Sequence, residues 1–563
     1  MLLIHPASEK FGGPMLSSFV PVEIPVSLGT LSAYLKKYDI NAKIIDEEMI
    51  NITPSILREA VENMERPYIF GITCLTAHVR RSYEIAQMIK EIYTDSIVIT
   101  GGLHPTTLPD ESLNTGFVDY VVRGEGEEIM LQLYRAIRGE GNPRDILGVS
   151  YIEEGVIKSN SPASLIPDIN VIPNFPYHEF DHDRYDFGML VSSRGCPYRC
   201  SYCSQRLLTG TTYRYLSPER IIEQLDILVN TYHQKQVVFF DDNFCLVNKR
   251  VHDLCDMLIE NGFPEKVSLG VQTRADNVLH GGDDLVRHMA EAGFSNLGYG
   301  LETGVQRLAD ITRKDETIEQ HLEATWLAKK HGMTVSLFMI FGMPTETRED
   351  RKMSYDLVQE QAKVNETKYN NMIPYPGTPI YEELKDGGRV VITENWGNFN
   401  STLAMTRSIF DKTPLPYVPE TCSEWELKRD IIRYNYKSYL LNARAIKRIL
   451  TGQKGSSWFL LPDKWYLSLS TWVALFHLGF NVIVNLTMAL LPIWITEPIM
   501  CAYDKKLKKR KRIKNYDPNS YEIKDWDKDE TKNIMRRLKK AKDHYKDTGD
   551  IKLVTNDSYN NDF

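Results

Sequence analysis

Three cysteines within eight residues constrain this chain more than any other feature. Cys196, Cys200 and Cys203 have the spacing C-x3-C-x2-C, in the run Arg194-Gly195-Cys196-Pro197-Tyr198-Arg199-Cys200-Ser201-Tyr202-Cys203. They follow an apolar run at 189–192 that reads as a strand, so the loop leaves one end of a sheet. Thiolates this close on a short loop can wrap three corners of one iron–sulfur cube. Local spacing places no fourth thiolate, since Cys245 and Cys255 lie far along the chain. A cube held at three corners keeps one iron open to a substrate or cofactor. Structural zinc is the alternative, but it wants a fourth Cys or His at motif spacing; the nearest following histidine is His233.

The surrounding sequence is that of a folded α/β chain with several domains. At 563 residues it exceeds one ordinary domain. With 42% hydrophobic and 25% charged residues it is not disordered, collagen-like or a coiled coil as a whole. Its net charge of −8 excludes bulk nucleic-acid affinity. Eight cysteines in so long a chain do not make a disulfide framework. The start, Met1-Leu2-Leu3-Ile4 before His5-Pro6, lacks the basic leader of a secretory signal, which places the protein in a reducing cytosol.

Residues 1–150 alternate short apolar runs (2–4, 42–45, 68–72, 97–100, 120–122) with helical patterns (27–37, 55–63, 79–93, 127–138). This rhythm predicts a doubly wound parallel sheet of about five strands, buried on both faces. Gly101-Gly102 and Gly124-Glu125-Gly126 follow strands directly. Glycine there lets a ligand or helix approach the backbone at the carboxyl ends of the strands, or serves tight turns only. Residues 151–181, rich in Pro and Asp, read as a linker. From 182 to 410 six longer βα units follow, with strands at 189–192, 236–240, 268–271, 296–300, 334–340 and 368–373. They predict a partial (β/α)6 barrel of the TIM type, with its site at the strands' carboxyl ends. Ser217-Pro218 reads as the start of a helix. The remainder, 411–563, reads as helical.

The cysteine pattern, with the aromatic Tyr202 before the last Cys, resembles the radical S-adenosylmethionine (SAM) superfamily over roughly residues 180–410. The resemblance implies that Cys196, Cys200 and Cys203 ligate a [4Fe-4S] cluster whose open iron chelates SAM. It also implies that one electron cleaves SAM to a 5′-deoxyadenosyl radical, which abstracts hydrogen from an unactivated carbon. The strand ends supply the expected SAM contacts. Asp241 and Asp242, in Phe239-Phe240-Asp241-Asp242-Asn243-Phe244, are similar to the segment that meets the methionine moiety, although the simple Gly-Gly-Glu form is absent and either Asp could instead cap the next helix. Gln272 and Arg274 end the third strand. Arg274 could grip the SAM carboxylate bidentately, or form a plain surface salt bridge. Gly298-Tyr299-Gly300-Leu301-Glu302-Thr303-Gly304 is not a dinucleotide fingerprint, because its third Gly falls one residue late. It resembles the family's fourth-strand segment, in which Glu302 would accept the ribose hydroxyls. Phe341-Gly342-Met343-Pro344 and Pro374-Tyr375-Pro376-Gly377 also match, as segments shaping the adenine side or simply as turns.

Gly101-Gly102-Leu103-His104-Pro105-Thr106 and Arg123-Gly124-Glu125-Gly126-Glu127 resemble the cobalamin-binding domain that precedes many radical SAM cores, with Gly101, Gly102, Gly124 and Gly126 lining the crevice. The Asp-x-His-x-x-Gly motif of cobalt-ligating domains is absent: Leu3, Thr76 and Gly102 stand two residues before His5, His78 and His104. The resemblance therefore implies cobalamin without a histidine ligand, or a domain that keeps the fold and has lost the cofactor. His104 reads as a cap or turn residue.

The C-terminal region carries one further signal. Residues 465–496 contain no Asp, Glu, Lys or Arg, and 22 of these 32 are apolar. Eight of the ten residues 505–514 are basic, and without them the chain's balance is −16. A single helix of that apolar length would reach about 48 Å, beyond a hydrocarbon core of about 30 Å. It would also separate the basic run from the cytosolic cluster domain. A re-entrant hairpin broken near Pro492 or Gly479, or a helix lying in the interface, satisfies both constraints; the alternative is a helix pair buried against the barrel.

Together these readings predict a cytoplasmic, peripheral or monotopic cobalamin-dependent radical SAM enzyme that methylates an unactivated carbon of a hydrophobic, lipid-like substrate. An electron donor such as flavodoxin or ferredoxin is implied. The alternatives are an anaerobic oxidative cyclase or carbon–carbon coupling enzyme of the tetrapyrrole cyclase type, and a non-catalytic membrane-docked Fe–S scaffold.

Overall fold

In the computed structural model, residues 1–7, 22–364, 366–401, 408–439 and 469–504 are described. All belong to one compact unit, Met1–Asn519. The basic run 505–514 lies outside the described residues.

The N-terminal sheet has seven strands. In chain order they are β1 (Leu2–His5), β2 (Lys43–Asp46), β3 (Ile69–Thr73), β4 (Ile97–Gly101), β5 (Tyr120–Val122), β6 (Val149–Glu153) and β7 (Val156–Ser159); in the sheet they lie β2-β1-β3-β4-β5-β6-β7. The first five are mutually parallel. Strand side chains alternate between faces, so Leu3 packs with Tyr34, Leu35 and Met130 on one side while Leu2 and Ile4 pack with Leu57, Ile85 and Ile89 on the other. Helices α1 (Val26–Lys36), α2 (Pro54–Val61), α3 (Val79–Ile92) and α4 (Gly126–Ile137) provide those covers. The chain passes from β1 to β2 on one side and from β2 to β3 on the other. This reversal opens a crevice beyond the strands' carboxyl ends.

β6 and β7 form an antiparallel hairpin on the sheet edge, with Gly155 at φ +78° in its turn. The sheet therefore runs past residue 150 into the segment read as linker. The hairpin's sequence signal is the alternation of Val149, Tyr151 and Glu153 before a Glu-Gly turn.

The barrel sheet has six parallel strands in chain order: β8 (Met189–Leu190), β9 (Gln236–Phe239), β10 (Ser268–Thr273), β11 (Phe294–Glu302), β12 (Thr334–Phe341) and β13 (Glu366–Asn371). Val237, Phe239, Leu269, Val271, Leu297, Tyr299, Val335, Leu337 and Tyr369 are fully buried beneath the outer helices. The alternate positions face the lumen and include Gly270, Gln272, Gly298 and Gly300 beside Val238 and Phe338. Ser217 caps the helix Pro218–Asp226 by accepting from the Arg220 amide, as its Ser-Pro signature predicts.

Beyond the barrel, α5 (Glu424–Tyr439) packs on β13 and carries α6 (Leu469–Leu490) and α7 (Ile493–Tyr503). Its anchor to the barrel is ionic: buried Arg351 pairs with Asp430 at 3.0 Å and Glu426 at 3.1 Å. The break between α6 and α7 falls at Pro492, and Gly479 lies inside an unbroken helix. One face of the pair is buried on α5 through Met488, Ala489 and Met500, which meet Trp425 and Ile432. Among the described residues no helix is long and apolar enough to cross a membrane.

Candidate active site

The cysteine loop hangs from the end of β8 and is closed by a two-stranded clasp, Ser193–Arg194 against Arg214–Tyr215. Gly195 sits at φ +87°, and a Cβ there would lie 2.2 Å from the Thr212 carbonyl, so the turn into Cys196 admits only glycine. Two acids from the end of β9 hold this turn. Asp241, 3% exposed, accepts from the Ser192 amide and hydroxyl (both 2.6 Å) and from the Ser193 amide (3.2 Å). Asp242 accepts from the Gly195 amide at 3.1 Å, and burial pushes its carboxyl up to about 6. Asp241 thus binds the entry of the cysteine loop.

The three thiols are half-buried and unpaired by disulfides. Burial pushes Cys196 up to about 12 and Cys203 up to about 11, and raises Cys200, with the Lys314 and Arg274 charges opposing the rise at Cys200. Thiols so placed give up their protons when a metal supplies compensating charge. Among the described residues no three His, Cys, Asp or Glu side chains close on a single metal ion. The loop suits a cluster, in which each thiolate grips its own iron, better than one zinc with four converging ligands.

Arg274 lies 3.9 Å from the Cys200 sulfur with its guanidinium 3.5 Å over the Tyr198 ring. Its fork is taken by Asp276 (3.0 and 2.9 Å), and it also donates to the Lys314 carbonyl (2.9 Å). At 6% exposed it is neither a surface salt bridge nor a fork open to a carboxylate. Its charge instead bears on the cysteine loop. Gln272 faces the lumen from β10, half-buried.

Glu302, at the end of β11, adopts φ +64°, a left-handed conformation that costs a non-glycine residue about 1 kcal/mol. Its Oε1 accepts from the Tyr202 hydroxyl at 3.1 Å and lies 3.5 Å from Lys314 Nζ. A Cβ on Gly300 would stand 2.2 Å from that oxygen, so the glycine makes room for the carboxylate. Lys314, Glu316 and Tyr198 were missed in the sequence. The signal for the first two is a charged Lys-Asp-Glu triplet in the connection after β11, a region where a barrel carries function.

In the N-terminal domain the two glycine clusters meet. The Gly124 amide donates to Thr106 Oγ1 at 3.0 Å, and that hydroxyl donates to the Gly102 carbonyl at 2.7 Å. Gly102, at φ +105°, approaches the backbone of Cys74, where a Cβ would lie 3.0 Å from the carbonyl oxygen. Gly101 is under no such constraint. A Cβ on Gly124 or Gly126 would meet nothing within 4 Å, so both backbones border open space. His104 is fully buried, with Nε2 3.2 Å from Glu111 and its ring edge-on to Trp396. It is a packing residue and not a cobalt ligand.

Glu125, between those glycines, reaches the barrel. Arg214 of the clasp grips it with two bonds of 2.8 Å. Arg194, next to the cysteine loop, lies 3.4 Å from Glu125 and 2.6 Å from Glu127. The glycine loop and the cysteine loop are therefore fastened to the same two-stranded clasp.

Residues 190–358 match the family described as the Radical SAM superfamily, and residues 14–133 match the B12 binding domain. The chain carries a radical SAM domain and a B12-binding domain. Radical SAM chemistry implies a [4Fe-4S] cluster and SAM, and the second domain implies cobalamin; the three thiols and the open glycine crevice fit these groups. An uncharacterised methyltransferase of Pyrococcus horikoshii is 29% identical over 407 residues, covering 71% of this chain and 86% of the relative. An anaerobic magnesium-protoporphyrin IX monomethyl ester cyclase of Cereibacter sphaeroides is 23% identical, over 83% of this chain and 77% of the relative. Among solved structures, the radical SAM methyltransferase TsrM of Kitasatospora setae, with cobalamin and a [4Fe-4S] cluster bound, superposes with a TM-score of 0.58 at 20% identity, covering 76% of this chain and 81% of that one. This likeness supports the shared fold.

Proposed function

We propose that this chain is a cobalamin-dependent methylase acting on an unactivated carbon of a hydrophobic, lipid-like substrate at the cytoplasmic face of the membrane. The observation that carries this reading is the clasp, which ties the Gly124–Gly126 loop and the cysteine loop to one pair of arginines. A reaction that needs both cofactor sites in register requires such a fastening. When bound, the cluster, SAM and cobalamin supply hydrogen abstraction and methyl transfer.

The chain's own residues hold and orient these groups. Cys196, Cys200 and Cys203 give the cluster its three thiolates. Asp241 and Asp242 fix the loop's entry, and Arg274 sets positive charge beside Cys200. Glu302 keeps one carboxylate oxygen for the ribose hydroxyls while Tyr202 and Lys314 hold the other. Asp242 and Gln272 offer polar atoms to the methionine moiety, and Gly101, Gly102, Gly124 and Gly126 border the corrinoid. Domain limits of 1–150, 151–181, 182–410 and 411–563 go with this assignment, the β6–β7 hairpin being an extension of the first. A low-potential donor such as flavodoxin or ferredoxin supplies the electron.

The test is an anaerobic assay of the reconstituted chain with membrane extract, following 5′-deoxyadenosine and S-adenosylhomocysteine together. Both products, with a substrate that gains the mass of one methylene, support methylation. The named relative of Cereibacter sphaeroides favours a second reading, oxidative cyclisation. It gives 5′-deoxyadenosine without S-adenosylhomocysteine, and a product that has lost hydrogens. A non-catalytic scaffold gives neither.

A further inference from the structure

The α6–α7 hairpin leaves one face uncovered after the other has packed on α5. On α6 the exposed positions include Phe480, Ile483 and Leu490, spaced for one side of a helix. Leu491 and Trp494 continue them across the Pro492 break, and Ile499 extends them along α7. Phe480 is 59%, Ile483 64% and Trp494 74% exposed, values far from those of core residues. Isolated exposed apolar side chains need no explanation, but a contiguous apolar face marks a docking surface; Glu497, half-buried one turn beyond Trp494, is the acid beside it among the described residues. Two polar groups of the hairpin are satisfied inward. Asn485 accepts from the Ile409 amide at 2.8 Å and donates to the Tyr436 hydroxyl at 3.2 Å. Arg429 donates to the Leu491 carbonyl at 2.6 Å, where the break frees a backbone acceptor. The hairpin thus ties Asn485 and the Leu491 carbonyl to the protein while Phe480, Ile483 and Trp494 turn away from it.

We infer that this face inserts into the interfacial layer of a bilayer carrying anionic lipid, with Trp494, Phe480 and Ile483 entering the headgroup–acyl boundary. The charge beside it selects this occupant. Lys505, the first of the eight basic residues, follows Tyr503, the last residue of α7, by two positions in the sequence. Cations next to an apolar surface complement anionic headgroups. A second copy of the chain on the same face would bring two such runs together, and their like charge opposes that pairing. A spanning mode is not involved, since the hairpin rests on α5 along its other side. The surface stands on geometry and charge, independently of which reaction the barrel performs.

The test is flotation of the full chain with vesicles of phosphatidylcholine alone or mixed with phosphatidylserine, paired with sedimentation velocity without lipid. The chain floats with the anionic vesicles, less so at high salt. The combined Trp494→Ser, Phe480→Ser and Ile483→Ser substitutions lower the partition coefficient on the order of a hundred-fold, with circular dichroism unchanged. The combined Lys508→Gln, Lys509→Gln, Arg510→Gln and Lys511→Gln substitutions lower it roughly five-fold per charge on anionic vesicles only. Failure to float with either vesicle overturns the inference, as does flotation indifferent to both sets of substitutions. A dimer that the serine substitutions dissolve, without vesicle binding, assigns the face to a second copy and equally overturns it.

Discussion

The Glu125 clasp can be tested as an energetic coupling. Glu125 and Arg214 have side chains only 5% and 4% exposed, and two bonds of 2.8 Å join them. Glu125 also accepts from the Ile166 amide at 3.1 Å, and Arg214 donates to the Ile166 and Thr209 carbonyls at 2.8 Å each. Glu125→Gln turns an amide nitrogen toward a guanidinium that remains buried. Removing one partner of a buried, hydrogen-bonded pair costs about 3 to 5 kcal/mol, because the other charge is left uncompensated. Arg214→Met does the same to Glu125, although Arg194 at 3.4 Å recovers part of the loss. The double variant strands neither charge. Its cost should therefore fall below the sum of the singles by about 2 kcal/mol or more. The assay is urea unfolding of the wild type, both singles and the double, prepared without cofactors. Additive singles, or a Glu125→Gln cost under about 1 kcal/mol, would refute the reasoning. In the reconstituted enzyme the same substitution should lower methylated product per 5′-deoxyadenosine formed, because Cys196, Cys200 and Cys203 are untouched while the glycine crevice loses its fastening.

Cys200→Ala should lower bound iron from about four per chain to near zero and abolish 5′-deoxyadenosine formation, with the circular dichroism of the folded chain retained; iron content at the wild-type level would sink the ligand assignment. Glu302→Gln should weaken SAM binding roughly ten- to a hundred-fold, the scale of a charge-assisted hydrogen bond, at unchanged iron content; an unchanged SAM affinity by equilibrium dialysis would remove Glu302 from the site. Burial, followed by the nearby charge of His5, holds His78 down from 6.5 to about 4, with Asp46 opposing. The native state therefore binds fewer protons than the unfolded chain between those pH values, and stability falls as pH drops from 6.5 toward 4, by about 3 kcal/mol in all. His78→Gln should flatten that part of the urea-midpoint profile, and an unaltered slope would count against it.

The fold was legible because it rests on periodicity. Runs such as 97–99 and 337–341 are apolar at every position, as strands covered on both faces are, and the order of such runs along the chain marks the six βα units of the barrel. The cysteine loop was legible because its chemistry is local. Side-chain commitment was not. Asp241 and Asp242 are adjacent at a strand end and chemically alike, so only the folded loop reveals that Asp241 takes the Ser192 and Ser193 amides. Arg274 has its main partner two residues away in Asp276, yet that pairing depends on the turn into the helix Ala275–Glu291. The pairing of Glu125 with Arg214 spans 89 positions. No spacing rule reaches across a domain boundary, so the clasp could be found only in three dimensions.

The aromatic residue before the third cysteine and the glycines before Glu302 turn out to serve one object. Tyr202 is placed by the cysteine loop, and burial drives its phenol well above the usual range, which keeps it a proton donor. It donates to Glu302 Oε1, the same oxygen that faces Lys314. The carboxylate can fold back to that position only because residue 300 has no side chain and residue 302 tolerates a left-handed backbone. Phenylalanine at 202 would fill the space but leave Oε1 to Lys314 alone, 3.5 Å away and shared with Glu316 at 3.3 Å. The Tyr-Cys pair of the loop and the Gly-Leu-Glu of the fourth strand are thus complementary halves of one device. It fixes the Glu302 carboxylate through one oxygen, against a tyrosine of the cysteine loop.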